Sequence, residues 1–322
     1  EAYPAIIQKY THSYEYFYDE SGKLKMIELV HKVIRVNNQE AIQKYSKIHI
    51  PTAGAKVLKI KARAINQNGV VTNLRDNEQI KELSKSQGEV AYTIFAVEGV
   101  KKGGEIEFLY MLELDYQISG KLILQSEVPS RNVSFEIISP DNLIFDTKSY
   151  NGLIDGECKQ NTYKGKNIFS LKLAEIPALE RLELFNYQAH LQRIHFRLAR
   201  QKDVVYPLLT WDDIALGMSK AIYTDSDKKT NKALLSLINR IFPANYEGWT
   251  AEMKIKTVDN YLKSYIRKEN VANPKFEGIK DIITNKYANE LGIIKLYTKL
   301  FELLAIEHQL VLTSNKQIHT FD

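Results

Sequence analysis

Apolar and polar positions alternate through the first 200 residues, and the alternation stops repeatedly at turn-forming residues. Tyr10-Thr11-His12-Ser13-Tyr14-Glu15-Tyr16-Phe17-Tyr18 is dense in β-branched and aromatic residues, which suit a pleated, half-buried surface, and Asp19-Glu20-Ser21-Gly22 follows as a turn. Residues 26–36 complete a hairpin. Residues 57–64 alternate apolar and basic side chains before turning at Asn66-Gln67-Asn68-Gly69, and residues 105–114 form a strand entered through Lys102-Gly103-Gly104. Residues 121–126, 132–138, 167–173 and 189–198 carry the same signal. Many short alternating strands with turns between them predict an antiparallel β-sandwich over residues 1–200.

Near Arg200 the period changes from two to that of a helix. Thr210-Trp211-Asp212-Asp213 reads as a helix start, with a capping hydroxyl and acids where the helix dipole favours them. Leu234, Leu235, Leu237, Ile238 and Ile241 give a second helix its apolar face. Ile255, Val258, Leu262 and Tyr265 do so for a third, and Ile279, Ile282 and Ile283 for a fourth. A last helix carries Ile294, Tyr297, Leu300, Phe301 and Leu304, and Gln309-Leu310-Val311-Leu312-Thr313 is read as a closing strand. The expectation is therefore an α+β, two-domain chain: β-sandwich over 1–200, helical domain over 201–322. The polar stretch Arg200-Gln201-Lys202-Asp203 marks the boundary.

Composition narrows the partners. The net charge of +5 comes from 44 basic and 39 acidic side chains, and it is spread: residues 1–200 hold 27 basic against 24 acidic. The signs alternate instead of forming the basic stripe a nucleic-acid binder needs, so nucleic acid is not an expected partner. No apolar run reaches the roughly 18 residues of a membrane span. A lone cysteine, Cys158, forbids an internal disulfide and leaves the compartment open. The chain begins at Glu1 rather than Met, which implies either a removed leader or a piece of a longer protein.

Candidate chemistry is sparse. Cys158 sits in the polar run Asp155-Gly156-Glu157-Cys158-Lys159-Gln160-Asn161, read as a turn, without the histidine or helix N-terminus that activates a thiol. His190 and His195 are an odd number of residues apart on an expected strand, so they face opposite ways and do not share a metal. His12, His31, His49, His308 and His319 have no local partner at ligand spacing. No metal or cofactor motif is read, and Gly99, Gly103 and Gly104 lack P-loop spacing. Glu105, Glu107 and Glu113 share one strand parity and read as a solvent-facing row. Trp211, Tyr246 and Trp249 are candidates to line a cleft, although such aromatics more often pack helices.

The order of elements resembles a bacterial arrangement in which a β-sandwich domain of unknown function precedes a transglutaminase-like, papain-like domain. The likeness rests on Ile65-Asn66-Gln67-Asn68-Gly69, on the run from Ala96 through Gly99 and Gly103-Gly104 to Glu107, and on Glu127-Val128-Pro129-Ser130-Arg131. In the helical part it rests on Thr210-Trp211-Asp212-Asp213-Ile214 and on Leu291-Gly292-Ile293-Ile294-Lys295-Leu296-Tyr297 through Leu310-Val311-Leu312-Thr313-Ser314. The resemblance implies a central helix that opens, after a glycine, on a nucleophilic cysteine whose thiolate is stabilised by the helix dipole and a histidine. Here Gly292 is followed by Ile293, Ile294 and Lys295, a degenerate nucleophile region. His319 does not match the place of the family's histidine, so no catalytic residue is carried over. The family's domain also extends beyond the counterpart of Asp322, so this copy is expected to be incomplete at its C-terminus.

Three readings follow. The first is a non-catalytic binding or scaffolding module of a bacterial envelope protein, in the periplasm or cell envelope, holding a peptide, protein or glycan between its domains. The second is a piece of a transglutaminase-like cysteine protease or acyltransferase whose active site lies outside this chain. The third is an assembly protein that uses an exposed edge strand.

Overall fold

The computed structural model describes residues 3–52, 54–74, 81–83, 92–161, 165–183, 186–202, 210–223, 226–269 and 273–313. Contacts divide the chain into two compact units, one within residues 1–208 and one over Leu209–Thr313. The first contains β1 (Ala5–Tyr18), β2 (Leu24–Val36), α1 (Gln39–Tyr45), β3 (Lys47–Pro51), β4 (Lys56–Ile65), β5 (Val71–Asn73), β6 (Lys81–Leu83) and β7 (Tyr92–Ala96). It continues with β8 (Glu105–Asp115), β9 (Ser119–Ile123), β10 (Ser130–Pro140), β11 (Leu143–Tyr150), β12 (Glu157–Asn161), β13 (Lys166–Ile176), α2 (Tyr187–His190) and β14 (Arg193–Gln201).

Eight of these strands form one sheet in the order β12-β13-β10-β1-β2-β8-β4-β5, and two three-stranded sheets have the orders β11-β14-β9 and β3-β7-β6. The sheet is not wholly antiparallel, as the sequence led us to expect: β1 and β10 run parallel, Ile7 opposite Ser130 and Glu15 opposite Ile138. Alternation reports which face a residue takes, not the direction of its neighbour, so this pairing leaves no trace in the pattern. A register shift between Ile7 and Lys9 moves the inward set of β1 from Ala5 and Ile7 to Tyr10, His12, Tyr14 and Tyr16. The rings of Tyr14 and Phe135 from the large sheet meet Phe196 from the β11-β14-β9 sheet at centroid distances of 5.3 and 6.2 Å, and Tyr16 meets Phe145 at 4.6 Å. The two sheets thus share one apolar core.

The turns follow their sequence. Asp19 Oδ1 accepts from the backbone N–H groups of Ser21 and Lys23, and Gly22 supplies φ +79°. Two expectations are corrected here. His190 lies in α2, not on a strand: β14 starts only at Arg193, whose guanidinium is buried and donates to the Ala189 carbonyl at 2.8 Å. Cys158 lies in edge strand β12, opposite Phe169, not in a turn.

The second unit contains α3 (Trp211–Ile222), α4 (Lys228–Ile241), α5 (Ala251–Tyr265), β15 (Arg267–Lys268), α6 (Ile279–Asn285), β16 (Tyr287–Ala288) and α7 (Glu290–Leu303). Short 3-10 turns form at Tyr246–Gly248 and Pro274–Phe276. Thr210 and Asp213 cap α3 reciprocally, Thr210 Oγ1 accepting from the Asp213 backbone and Asp213 from that of Thr210. Leu234, Leu237, Ile238, Val258, Leu262, Ile282, Leu296 and Leu300 are the core, whereas Leu235, Ile255 and Tyr265, read from periodicity as core-facing, are exposed. The strand expected at Gln309–Thr313 is absent: the chain there pairs with no strand among the described residues, and Val311 is 74% exposed. His319 and the rest of residues 314–322 lie outside the described residues.

Candidate functional site

The opening of α7 is where sequence reasoning placed a degenerate nucleophile. β15 and β16 pair in parallel, and the chain leaves Ala288 directly into Asn289, the helix cap. Asn289 Oδ1 accepts from the Gly292 N–H at 2.9 Å, and the Asn289 N–H donates to the Phe276 carbonyl at 3.1 Å. A Cβ at Gly292 would stand 2.0 Å from that same carbonyl oxygen, so the helix reaches this position only because residue 292 has no side chain.

Charge at this end is already matched. The Asn289 amide donates to Glu277 Oε1 at 3.1 Å, and Lys295 Nζ stands 3.5 Å from Glu277 Oε2. A carboxylate therefore sits by the positive end of the helix dipole with a lysine beside it. Ile293 and Ile294, half-buried, supply neither nucleophile nor proton donor. One turn along, Tyr297 donates to Asp259 Oδ1 at 2.7 Å. The Lys263 ammonium, and then this hydroxyl, hold the Asp259 carboxyl below the usual carboxylate range. Burial, with Asp259 beside it, pushes the Tyr297 hydroxyl up. The arrangement ties α5 to α7 through the Tyr297–Asp259 hydrogen bond.

The three aromatics proposed to line a cleft do different things. Tyr246 and Trp249 pack on Phe242, with centroids 4.8 and 5.9 Å away, whereas Trp211 is 74% exposed at the start of α3. The row of Glu105, Glu107 and Glu113 is less solvated than its parity suggested. Glu107 lies between His31 Nε2 at 2.8 Å and Arg63 Nε at 2.5 Å, and Glu113 is 3.6 Å from Lys56. Burial alone would raise the Glu107 carboxyl, but His31 and Arg63 outweigh it and hold the group below its ordinary value.

Sequence reasoning missed a polar chain on the inward face of the large sheet. His12, buried on β1, has Nε2 2.9 Å from Glu28 Oε1, and the Tyr10 hydroxyl lies 3.2 Å from His12 Nδ1. Tyr14 donates to Glu28 at 3.4 Å. Burial first, and the Glu28 charge second, push the Tyr10, Tyr14 and Tyr110 hydroxyls up, so all three remain protonated donors. The signal was there in the sequence: Glu28 and Lys32 occupy the parity of Met26, Val30 and Ile34, the apolar one.

Residues 25–180 match a family model described as a "Domain of Unknown Function with solved-structure structure", DUF3857. That stretch runs from β2 into the segment after β13 and so takes in the centre of the large sheet. A search among curated proteins finds no match. Among solved structures, a crystal structure described as a "putative protease" from Parabacteroides distasonis aligns over 94% of this chain with a TM-score of 0.67 and 12% identity. At that identity the likeness shows the fold alone, mixed α and β with a large sheet. The chain spans 59% of the Parabacteroides protein's length. An M1 zinc metallopeptidase from Deinococcus radiodurans (7% identity, 60% of this chain, 42% of that one) and native yeast LTA4 hydrolase (11%, 60% and 29%) align with TM-scores of 0.33. Likenesses that weak carry no argument.

Proposed function

We propose that the chain is a non-catalytic, transglutaminase-like binding or scaffolding module of a bacterial envelope protein, with a peptide, protein or glycan as its partner. The observation that carries this reading is the first turn of α7. Gly292 is packed against the Phe276 carbonyl as a helix-opening glycine, and the residues after it are Ile293, Ile294 and Lys295. Acyl transfer through a thiolate needs sulfur at a helix start, with the dipole unopposed. Here a branched aliphatic stands in that turn, and Asn289, whose amide is held by Glu277, already caps the Gly292 N–H. Residence in the periplasm or cell envelope is part of the same proposal.

The test is a pair of assays on the purified chain: cleavage of a peptide library read by mass spectrometry, and incorporation of a fluorescent primary amine into a glutamine-bearing protein. Neither activity is expected, and Ile294→Ala is expected to change nothing. Turnover abolished by changing Ile294 or Lys295 would defeat the reading. A second reading, that a longer parent is a cysteine protease or acyltransferase with its active site outside this chain, is favoured by the 59% coverage of the Parabacteroides protein. Turnover by the full-length parent that survives Ile294→Ala would select it.

A further inference from the structure

The 39–51 segment, α1 followed by β3, contributes Lys44, Tyr45, Lys47, Ile48 and His49 to a cavity of about 240 Å³ in the β unit, whose other walls come from β1, β2, β8 and Ser126. Its apolar part is Ile7, Ile34, Ile48 and Phe108, of which the three isoleucines are buried. Lys32, Lys44, Lys47 and His49 add positive or protonatable groups to the same wall.

Lys32 makes this more than a surface dent. It points to the inward face of β2, between its cross-strand neighbours Tyr10 and Phe108, with Nζ 4.0 Å from the Tyr10 ring centroid. Among the described residues no carboxylate lies within ion-pair distance of it. A cation–π contact satisfies one side of an ammonium that has three donors. A cation taken out of water without an anion is costly and needs a physical reason. Lys32 is half-buried, and burial pushes it down to about 8. Of the other cations, Lys44 is matched by Glu127 at 2.8 Å, and Glu127 also faces Arg181 at 3.9 Å. Among the described residues, Lys32 and Lys47 therefore bring charge to the cavity with no acid paired to either.

We infer that this cavity is a binding site for a small organic carboxylate with an apolar body, the carboxylate meeting Lys32 and Lys47 and the body resting on Ile7, Ile34 and Phe108. The volume sets the size: it falls below the roughly 300–1,000 Å³ of sites for drug-sized ligands, and so suits one acylated amino acid. The site lies in the β unit and does not depend on the reading of α7.

The experiment is a calorimetric titration of the whole chain with N-acetyl-leucine, with N-acetyl-leucinamide and inorganic phosphate as comparison probes. Saturable binding of N-acetyl-leucine is expected. The amide, which keeps the apolar body and loses the charge, should bind at least about tenfold more weakly, a change of roughly 1.4 kcal/mol. Phosphate, which keeps charge and loses the body, should also bind more weakly. Lys32→Met should lose about tenfold in affinity for N-acetyl-leucine, and Lys47→Gln, on the exposed rim, roughly threefold. Should Lys32→Met fail to fold, Lys47→Gln alone carries the test. Equal affinity for acid and amide, a preference for phosphate, absence of saturable binding, or unchanged affinity in the folded variants would each overturn the inference.

Discussion

At the scale of single residues, the polar groups set on apolar parities govern how the β unit responds to pH. The Lys32 ammonium faces Tyr10 and Phe108, with Lys44, Lys47 and His49 in the same cavity and Glu28 the acid on its own strand face. Because its folded pKa is lowered to about 8, the folded chain carries the full cost of the charge below pH 8. The cost is shed as pH rises towards the ordinary lysine value. Lys32→Met should therefore raise stability in urea by roughly 1–3 kcal/mol at pH 7, and the gain should vanish by about pH 10. Glu107 has the opposite sign. His31 and Arg63 depress its carboxyl, so its contribution is present above the ordinary glutamate range and lost as pH falls through the folded value. Glu107→Gln should cost about 1 kcal/mol at pH 7, and its melting temperature should fall less than the parent's on acidification to about pH 3. Lys32 and Glu28 were legible as anomalies of alternation, but not as members of one chain with Tyr10, His12 and Tyr14. That grouping depends on the register of the β1–β2 hairpin, which the alternation did not fix.

At the scale of elements, the strands with strict alternation were legible to within a few residues: β2, β4, β8 and β13 lie where the pattern put them. The failures share one cause, since pattern records burial and not pairing. Gln309–Thr313 has the composition of a strand but pairs with none among the described residues, and the expected start of β14 was taken up by the helical turn of Tyr187–His190. The short helix α1 was missed because only Ala41 is fully buried on it, although Asn38 Oδ1 caps it at 2.8 Å from the Ala41 nitrogen. Helix α7 shows which residues of an element matter. Gly292→Ala pushes a methyl group into the Phe276 carbonyl and should cost at least about 2–3 kcal/mol, measured by thermal unfolding. Asn289→Ala removes the acceptor for the Gly292 N–H and should cost about 1 kcal/mol by the same measurement. The element was readable from its periodicity. The packing of its first turn on residues 274–277 was not, because those contacts join segments with no shared period.

At the scale of the whole molecule, each unit has its own buried cluster, and both tryptophans, Trp211 and Trp249, belong to the helical one. Tryptophan emission therefore reports on residues 209–313 alone, while far-ultraviolet dichroism near 215 nm is weighted to the sheets. Gly292→Ala should shift the emission transition in urea to lower concentration and leave the sheet-weighted transition nearly unmoved. A common shift of both would show that the two units unfold as one.

The parallel pairing of β1 with β10 also sets a schedule for synthesis. Ile7 waits for Ser130, which leaves a ribosome 123 positions later, roughly 6–25 s at the usual elongation rates. Throughout that interval the β1–β2 hairpin presents an unpaired backbone edge, with Tyr10, Tyr14 and Tyr16 on its uncovered face, to whatever passes. A nascent chain halted before residue 130 should be a client for holdases, and one released after residue 176, with β13 in place, should not.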